Sequence, residues 1–231
     1  MGPALGPRHD RDRGRIRPLV ALFAALALIA LPSTVPAAGR PVRLVALGDS
    51  LTAGYRLPAE AAFPAVLERM LTAKGRDVRI ANAGVSGETA TNGLDRVDWS
   101  VPDGTDGVIL ELGANDMLRG TDPGVTRGAL AGILDRLRAR GIPVLLTGML
   151  AAPNYGPDYK GRFDAIYPDL ARQYGVRLYP FFLDGIIGDR AQHLDDGQHP
   201  NARGVETIAG RILPAAEAFL DGIGRGAEVG R

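Results

Sequence analysis

From Val42 onward the chain alternates short apolar runs with longer stretches whose apolar residues recur every three or four positions. The apolar runs are Val42–Leu47, Val78–Asn82, Val108–Leu112, Val144–Thr147 and Val176–Tyr179. They lack strict alternation, which suits strands covered on both faces. Between them, Ala61–Ala73 carries Val66, Leu67, Met70 and Leu71 at helical spacing. Thr126–Arg140 repeats that spacing through Leu130, Ile133, Leu134 and Leu137 until Gly141-Ile-Pro ends it. Asp158–Tyr174 and Ala202–Leu220 read as two further long helices, and residues 221–231 (DGIGRGAEVGR) as a loose tail. Strands alternating with helices predict an α/β fold whose parallel sheet is built from right-handed crossovers. No internal repeat, long linker or second boundary interrupts residues 39–220, so one domain is expected there.

The first 38 residues follow a different pattern. A polar, arginine-rich start ending RDRGRIR leads into 13 uninterrupted apolar residues, Leu19–Leu31, bounded by Pro18 and Pro32. STVPAAGR then offers small residues suited to cleavage after Ala37 or Ala38. This order describes a secretory signal, and the run is shorter than the ~20 apolar residues of a usual membrane span. Residues 1–38 are therefore expected to direct export to the periplasm or the medium and to be removed, leaving no membrane insertion.

Composition narrows the chemistry. With 231 residues, 45% of them hydrophobic, the chain can bury a substantial core. It has no cysteine, which excludes disulfides, thiolate metal sites and a cysteine nucleophile. Lysine occurs only at Lys74 and Lys160. The net charge of +1 comes from the leader, whose five arginines outweigh two aspartates; the remainder carries 22 basic against 24 acidic side chains. No basic run or basic-aromatic interleaving survives there, so nucleic-acid binding has no support.

In a parallel sheet all carboxyl ends share one edge, and that edge is where such folds place ligands. Gly48-Asp49-Ser50 follows the first strand, Asn82-Ala-Gly84-Val-Ser86-Gly87 the second and Gly113-Ala-Asn115-Asp116 the third. The segment after the fifth ends at Asp196 and His199, just before the last helix. Of the three histidines, His9 lies in the leader and His193 reads as a loop residue without a role. His199 stands three residues after Asp196, close enough for one turn to set a carboxylate against the imidazole. A carboxylate on one ring nitrogen fixes the tautomer and leaves the other nitrogen to take a serine proton; Asp195 is a second source of the carboxylate, at a less suitable spacing. Attack by Ser50 on an acyl carbon needs fixed donors for the oxyanion. The N–H groups of Ser50 and Gly84 and the cleft-facing amide of Asn115 are candidates. Each feature alone has a structural reading: a helix cap at Asp49-Ser50, a positive-φ turn at Gly84, Asx turns at Asn115 and Asp196. Together, in one order on one edge, they point to acyl hydrolysis.

GDSLTAGY, Gly84 in NAGVSGET, GAND and DGQHP resemble the four blocks of the SGNH hydrolases, also called GDSL esterases/lipases. The resemblance covers nearly all of Val42–Leu220. GANDMLRG and PNYGPDY (Pro153–Tyr159) are particularly similar to the exported bacterial acyl-CoA thioesterases, lysophospholipases and arylesterases. The resemblance implies a flavodoxin-like three-layer α/β/α sandwich with a five-stranded parallel sheet. It also implies a Ser50–His199–Asp196 triad with Ser50, Gly84 and Asn115 as oxyanion hole, acting without cofactor or metal. Gln198 departs from the aliphatic residue usual there. The Gly-x-Ser-x-Gly elbow of α/β-hydrolases is absent.

The leading expectation is a monomeric serine esterase acting on small acyl esters or thioesters through an acyl-enzyme. Asp49, Met117, Leu118 and Tyr155 are candidate substrate contacts, and the apolar surface of Met117-Leu118 and Pro153–Tyr159 suits an acyl chain longer than acetyl. A carbohydrate or peptidoglycan O-acetylesterase of the same fold is the nearest rival. A non-catalytic flavodoxin-like protein cradling a phosphate on Gly48–Gly54 is a third reading, and it leaves Asn115, Asp196 and His199 unexplained.

Overall fold

The computed structural model describes residues 40–229, with side chains through Ile223, so the leader lies outside the described residues. Five parallel strands, β1 (Val42–Gly48), β2 (Val78–Gly84), β3 (Gly107–Glu111), β4 (Val144–Thr147) and β5 (Arg177–Tyr179), lie in the order β2-β1-β3-β4-β5. The central pair is the most apolar: Leu44–Leu47 of β1 and Val108–Leu110 of β3 are buried, as strands covered on both faces must be.

Among the described residues, eight α-helices surround the sheet: α1 (Ser50–Ala53), α2 (Phe63–Ala73), α3 (Ala90–Ser100), α4 (Ala114–Leu118), α5 (Pro123–Ala139), α6 (Pro157–Asp164), α7 (Ile166–Tyr174) and α8 (Ala202–Val229). α2 packs with α8, and α3 and α7 pack with α5. This is the expected three-layer arrangement.

Three elements differ from the sequence reading. α3 was not anticipated, because its buried positions include Gly93 and Arg96 and so break the apolar stripe. Its start is nevertheless written in the chain: the Thr89 side chain accepts from Asn92 N–H while the Asn92 side chain accepts from Thr89 N–H, a reciprocal cap. The expected single helix Asp158–Tyr174 is broken at Ala165 into α6 and α7. Pro168, lacking an N–H, cannot bond back to Asp164, which removes the hydrogen bond that would carry the helix across. α8 continues through Pro214 to Val229 rather than ending at Leu220.

The strand order matters for the site. The chain runs from β1 outward to β2, then returns past β1 to β3. The loops leaving β1 and β3 consequently diverge, opening a crevice at this switch point where such sheets bind ligands. The register sets Gly48 opposite both Gly84 and Glu111, so the ends of the three strands are level.

Candidate active site

Ser50 opens α1 immediately after β1. Asp49 caps this helix, its Oδ1 accepting the Leu51 N–H at 2.9 Å. Gly84 lets β2 press against the turn: a Cβ there would fall 2.3 Å from Ala53 N and 2.8 Å from Asp49 O. On the far side of the crevice the Ser50 hydroxyl donates to His199 Nε2 at 2.9 Å. His199 Nδ1 in turn donates to Asp196 Oδ2 at 2.8 Å. Both readings of the Asp-x-x-His segment are realised at once. Asp196 Oδ1 accepts the N–H groups of Gln198 (2.9 Å) and His199 (3.0 Å), closing an Asx turn, and Oδ2 holds the imidazole. The His199 N–H, the Gln198 N–H and the ring hold the Asp196 carboxyl well below the usual carboxylate range. Asn201 ties this loop to the start of α8, its amide donating to Ala191 O and His193 O.

His193 is structural: its Nδ1 bonds the Asp189 carbonyl at 2.9 Å. Tyr55, which sequence reasoning passed over, packs its ring against His199 with centroids 4.3 Å apart. Its place five residues after Ser50, just beyond the left-handed Gly54, was the available signal.

Behind Ser50 lie two fully buried carboxyls. Asp49 was a candidate substrate contact, but no part of it reaches solvent. It works instead within the wall, its Oδ2 accepting from Asn115 Nδ2 at 3.0 Å. Glu111 Oε2 accepts from Thr52 Oγ1 at 2.8 Å and from Asp49 N at 3.3 Å, and Oε1 has no partner among the described residues. Burial, the largest cause for each, raises Asp49 to about 6 and Glu111 well above its ordinary value, and the charge of Asp49 pushes Glu111 further up.

The three expected oxyanion donors differ in what their hydrogens already do. Ser50 N–H has no acceptor among the described residues. Gly84 N–H is spent on Asn82 Oδ1 at 2.9 Å, and Gly84 is wedged against the back of α1 rather than lining the cavity. Its φ is not positive, so it is a close-approach glycine and not the expected turn glycine. Gly87, at φ +85°, is the exposed glycine of this loop, and its N–H has no acceptor among the described residues. Asn115 is not an Asx-turn residue. Its Nδ2 donates to Asp49 Oδ2 and to Glu88 O, both at 3.0 Å. Since both partners only accept, the amide nitrogen rather than the oxygen must face them. Glu88, whose carbonyl Asn115 holds, directly follows Gly87. Arg96 of α3, itself buried, locks the same corner by donating to Gly48 O at 2.9 Å and pairing with the Glu88 carboxylate.

A cavity of about 440 Å³ opens beside Ser50 and His199. Met117, Leu118, Met149, Leu150, Phe181 and Ile187 give it apolar walls. Met117 and Leu118 stand where expected, and Gln198 is on the rim. Tyr155 does not line it; its hydroxyl donates to Leu118 O at 3.1 Å and so supports the wall from behind. A larger cavity, about 710 Å³, lies at the opposite edge of the sheet among Asp106, Arg138, Tyr174 and Arg177, and none of Ser50, Asp196 or His199 touches it.

Comparison with known proteins agrees with this geometry. Residues 46–206 match the GDSL-like Lipase/Acylhydrolase family. The chain is 40% identical over 168 residues to an arylesterase of Vibrio mimicus, covering 72% of this chain and 84% of that protein. It is 40% identical over 159 residues to thioesterase 1/protease 1/lysophospholipase L1 of Escherichia coli, covering 68% and 75% of the two chains. The crystal structure of AlinE4, an SGNH-hydrolase family esterase, superposes with a TM-score of 0.67 at 44% identity, covering 79% of this chain and 98% of that one. A chain matched over most of its length in both sequence and fold belongs with these enzymes: it is a member of the GDSL-like lipase/acylhydrolase family and a serine esterase of the SGNH-hydrolase fold.

Proposed function

We propose that the chain hydrolyses carboxylic esters or thioesters of acyl groups longer than acetyl, with Ser50 as nucleophile, His199 as base and Asp196 as its orienting carboxylate. The observation that carries this is the unbroken relay from Ser50 Oγ to His199 to Asp196, at 2.9 and 2.8 Å, opening directly on an apolar cavity. His199 Nε2 takes the hydroxyl proton as Oγ attacks the acyl carbon. The negative charge that develops on the carbonyl oxygen is met by the N–H groups of Ser50 and Gly87, neither of which has an acceptor among the described residues, and by the Asn115 amide, which exchanges its bond to the Glu88 carbonyl for the oxyanion; Gly87 takes the place of Gly84, which is wedged behind α1. His199 then gives the proton to the leaving oxygen or sulfur, and the acyl-enzyme is released by a water that His199 deprotonates.

The apolar walls favour this reading over an O-acetylesterase, whose acetyl group would leave most of 440 Å³ unfilled. Export fits as well. Just after the expected cleavage site, the Arg40 guanidinium pairs with both oxygens of Asp106 at 2.6 Å. Removal of the leader after Ala37 or Ala38 leaves that anchor intact. Among the described residues no helix is long and apolar enough to cross a membrane.

The test is a panel of p-nitrophenyl acetate, butyrate and octanoate, with a fluorophosphonate as covalent probe. Wild type should prefer the longer chains and carry the adduct on Ser50; Ser50→Ala should lose turnover and labelling while keeping its melting temperature. Labelling that persists in Ser50→Ala would remove Ser50 from the reaction, and a preference for acetate would favour the O-acetylesterase.

A further inference from the structure

Two walls of the cavity follow strand ends, one a loop and one the short helix α4, and residues 155–164 hold both. The first wall is the irregular stretch after β4, where Met149, Leu150, Ala151 and Ala152 line the cavity in succession. Sheet-like bonding ends at Gly148, whose N–H donates to Tyr179 O at 2.7 Å and whose carbonyl accepts from Phe182 N at 2.8 Å. Beyond that point α6 takes over. Asp164 Oδ1 accepts the Ala151 N–H at 2.8 Å. Lys160 Nζ donates to the Ala151 carbonyl at 3.0 Å and to Asp164 Oδ2 at 2.5 Å. Both polar main-chain atoms of Ala151 are therefore gripped by one ion pair, four residues apart on one helix face.

The opposite wall, α4 and its exit, is tied to the same segment. Tyr155 donates to Leu118 O, and Tyr159 to Thr121 O at 3.0 Å. The two rings stack with centroids 5.0 Å apart, and Tyr159 continues the stack onto Phe163. Lys160 is also, among the described residues, the one lysine or arginine lining this mainly apolar cavity. Its side chain stays partly exposed, and its ammonium is turned onto the wall's own backbone. The pair thus spans from the helix to the wall, while the tyrosines fix the helix to the wall opposite.

We propose that Lys160 and Asp164 are positioning residues that set the width of the acyl cavity and, through it, the selectivity for acyl-chain length; this rests on the reading of the cavity as the acyl site. Dispersion contact falls off steeply when a wall retreats by a fraction of an ångström. A long acyl chain samples that wall along its length, and an acetyl group with its single methyl barely does. Releasing Ala151 should therefore penalise long chains selectively.

The experiment compares wild type with Asp164→Ala, Lys160→Met, the double variant and Lys160→Arg, measuring kcat and KM for p-nitrophenyl acetate and octanoate together with melting temperatures. Loss of the clasp in Asp164→Ala should lower the octanoate-to-acetate ratio of kcat/KM by about three- to tenfold, the scale of one or two hydrogen bonds. The loss should sit in the octanoate KM, with acetate kcat unchanged. Lys160→Met should give a shift in the same direction, and the double variant a shift smaller than the product of the singles, because each single already breaks the ion pair that aligns the other's bond to Ala151. Lys160→Arg keeps a cation with several donors and should restore the wild-type ratio. Should Asp164→Ala fail to fold, Asp164→Asn keeps an acceptor for Ala151 N–H while removing the charge under Lys160, and should shift the ratio in the same direction. An unchanged ratio in a folded Asp164 variant, or a double variant whose shift is the product of the singles, overturns the proposal. A wild type that turns over acetate but not octanoate would instead remove the acyl reading on which it rests.

Discussion

At the residue scale, the proposed oxyanion role of Asn115 draws on the same amide that bonds the interior. Its amide was expected to face the cleft with few other duties, but both Nδ2 hydrogens are engaged, one of them by a carboxylate that no water reaches. Asn115→Ala should therefore do two things. Removing an oxyanion donor should lower kcat by roughly 10² to 10³. Leaving Asp49 Oδ2 unpartnered in the interior should also cost about 1–3 kcal/mol of stability. Asn115→Asp should be worse on both counts, since it sets a second carboxylate against Asp49 and against the Glu88 carbonyl. Kinetics with p-nitrophenyl butyrate, read beside melting temperatures, separate the two effects. An Asp variant that stayed active would leave the oxyanion to backbone donors alone.

At the scale of elements, α3 is the helix on which the geometry of the nucleophile turn leans. Its first turn supplies Ala90 N–H to Asp116 Oδ2 at 2.9 Å, and its middle supplies Arg96 to Gly48 O. It begins at a reciprocal cap rather than with an apolar stripe, so the cap contributes a large share of its definition. Thr89→Ala should cost ~1 kcal/mol, lowering the melting temperature by about 2–4 °C for a domain of this size. Thr89→Ser, which keeps the hydroxyl, should recover most of it. Circular dichroism melts of the two variants decide the matter; equal losses would mean that the methyl, not the cap, was what mattered.

At the scale of the whole molecule, the buried carboxyls give stability an unusual pH dependence. Asp49 and Glu111 are raised by burial, so between the ordinary carboxylate range and their folded values the native state binds more protons than the unfolded chain. Stability contributed by these groups is then greatest in acid and falls as pH rises through about 4 to 6 and, for Glu111, beyond. Asp196 acts in the opposite sense: its depressed value contributes stability above the ordinary carboxylate range that is lost on acidification below it. Glu111→Gln removes one proton-binding group, and its melting temperature should decline less between pH 5 and 8 than that of wild type. Parallel curves for the two proteins would show that Glu111 does not titrate in that window.

The amino-acid sequence by itself determined the strands, most of the helices, their α/β order and the edge on which the chemistry gathers. These depend on periodicity and on residues a few positions apart, as in the turn that closes Asp196 onto His199. The family blocks further named Ser50, 149 positions from His199, as its partner. Only the tertiary structure decided which of the candidate groups are free to act. Whether Gly84 N–H is spent on Asn82, whether Asp49 is sealed from substrate, and whether Tyr155 lines a wall or braces it depend on which segments meet. The same holds for Lys160 and Asp164, which read in one dimension as an ordinary helical ion pair. Their grip on Ala151 exists because α6 packs against the loop leaving β4. Local pattern specifies an element's existence; the hydrogen-bond partners of its polar groups are settled by its neighbours in space.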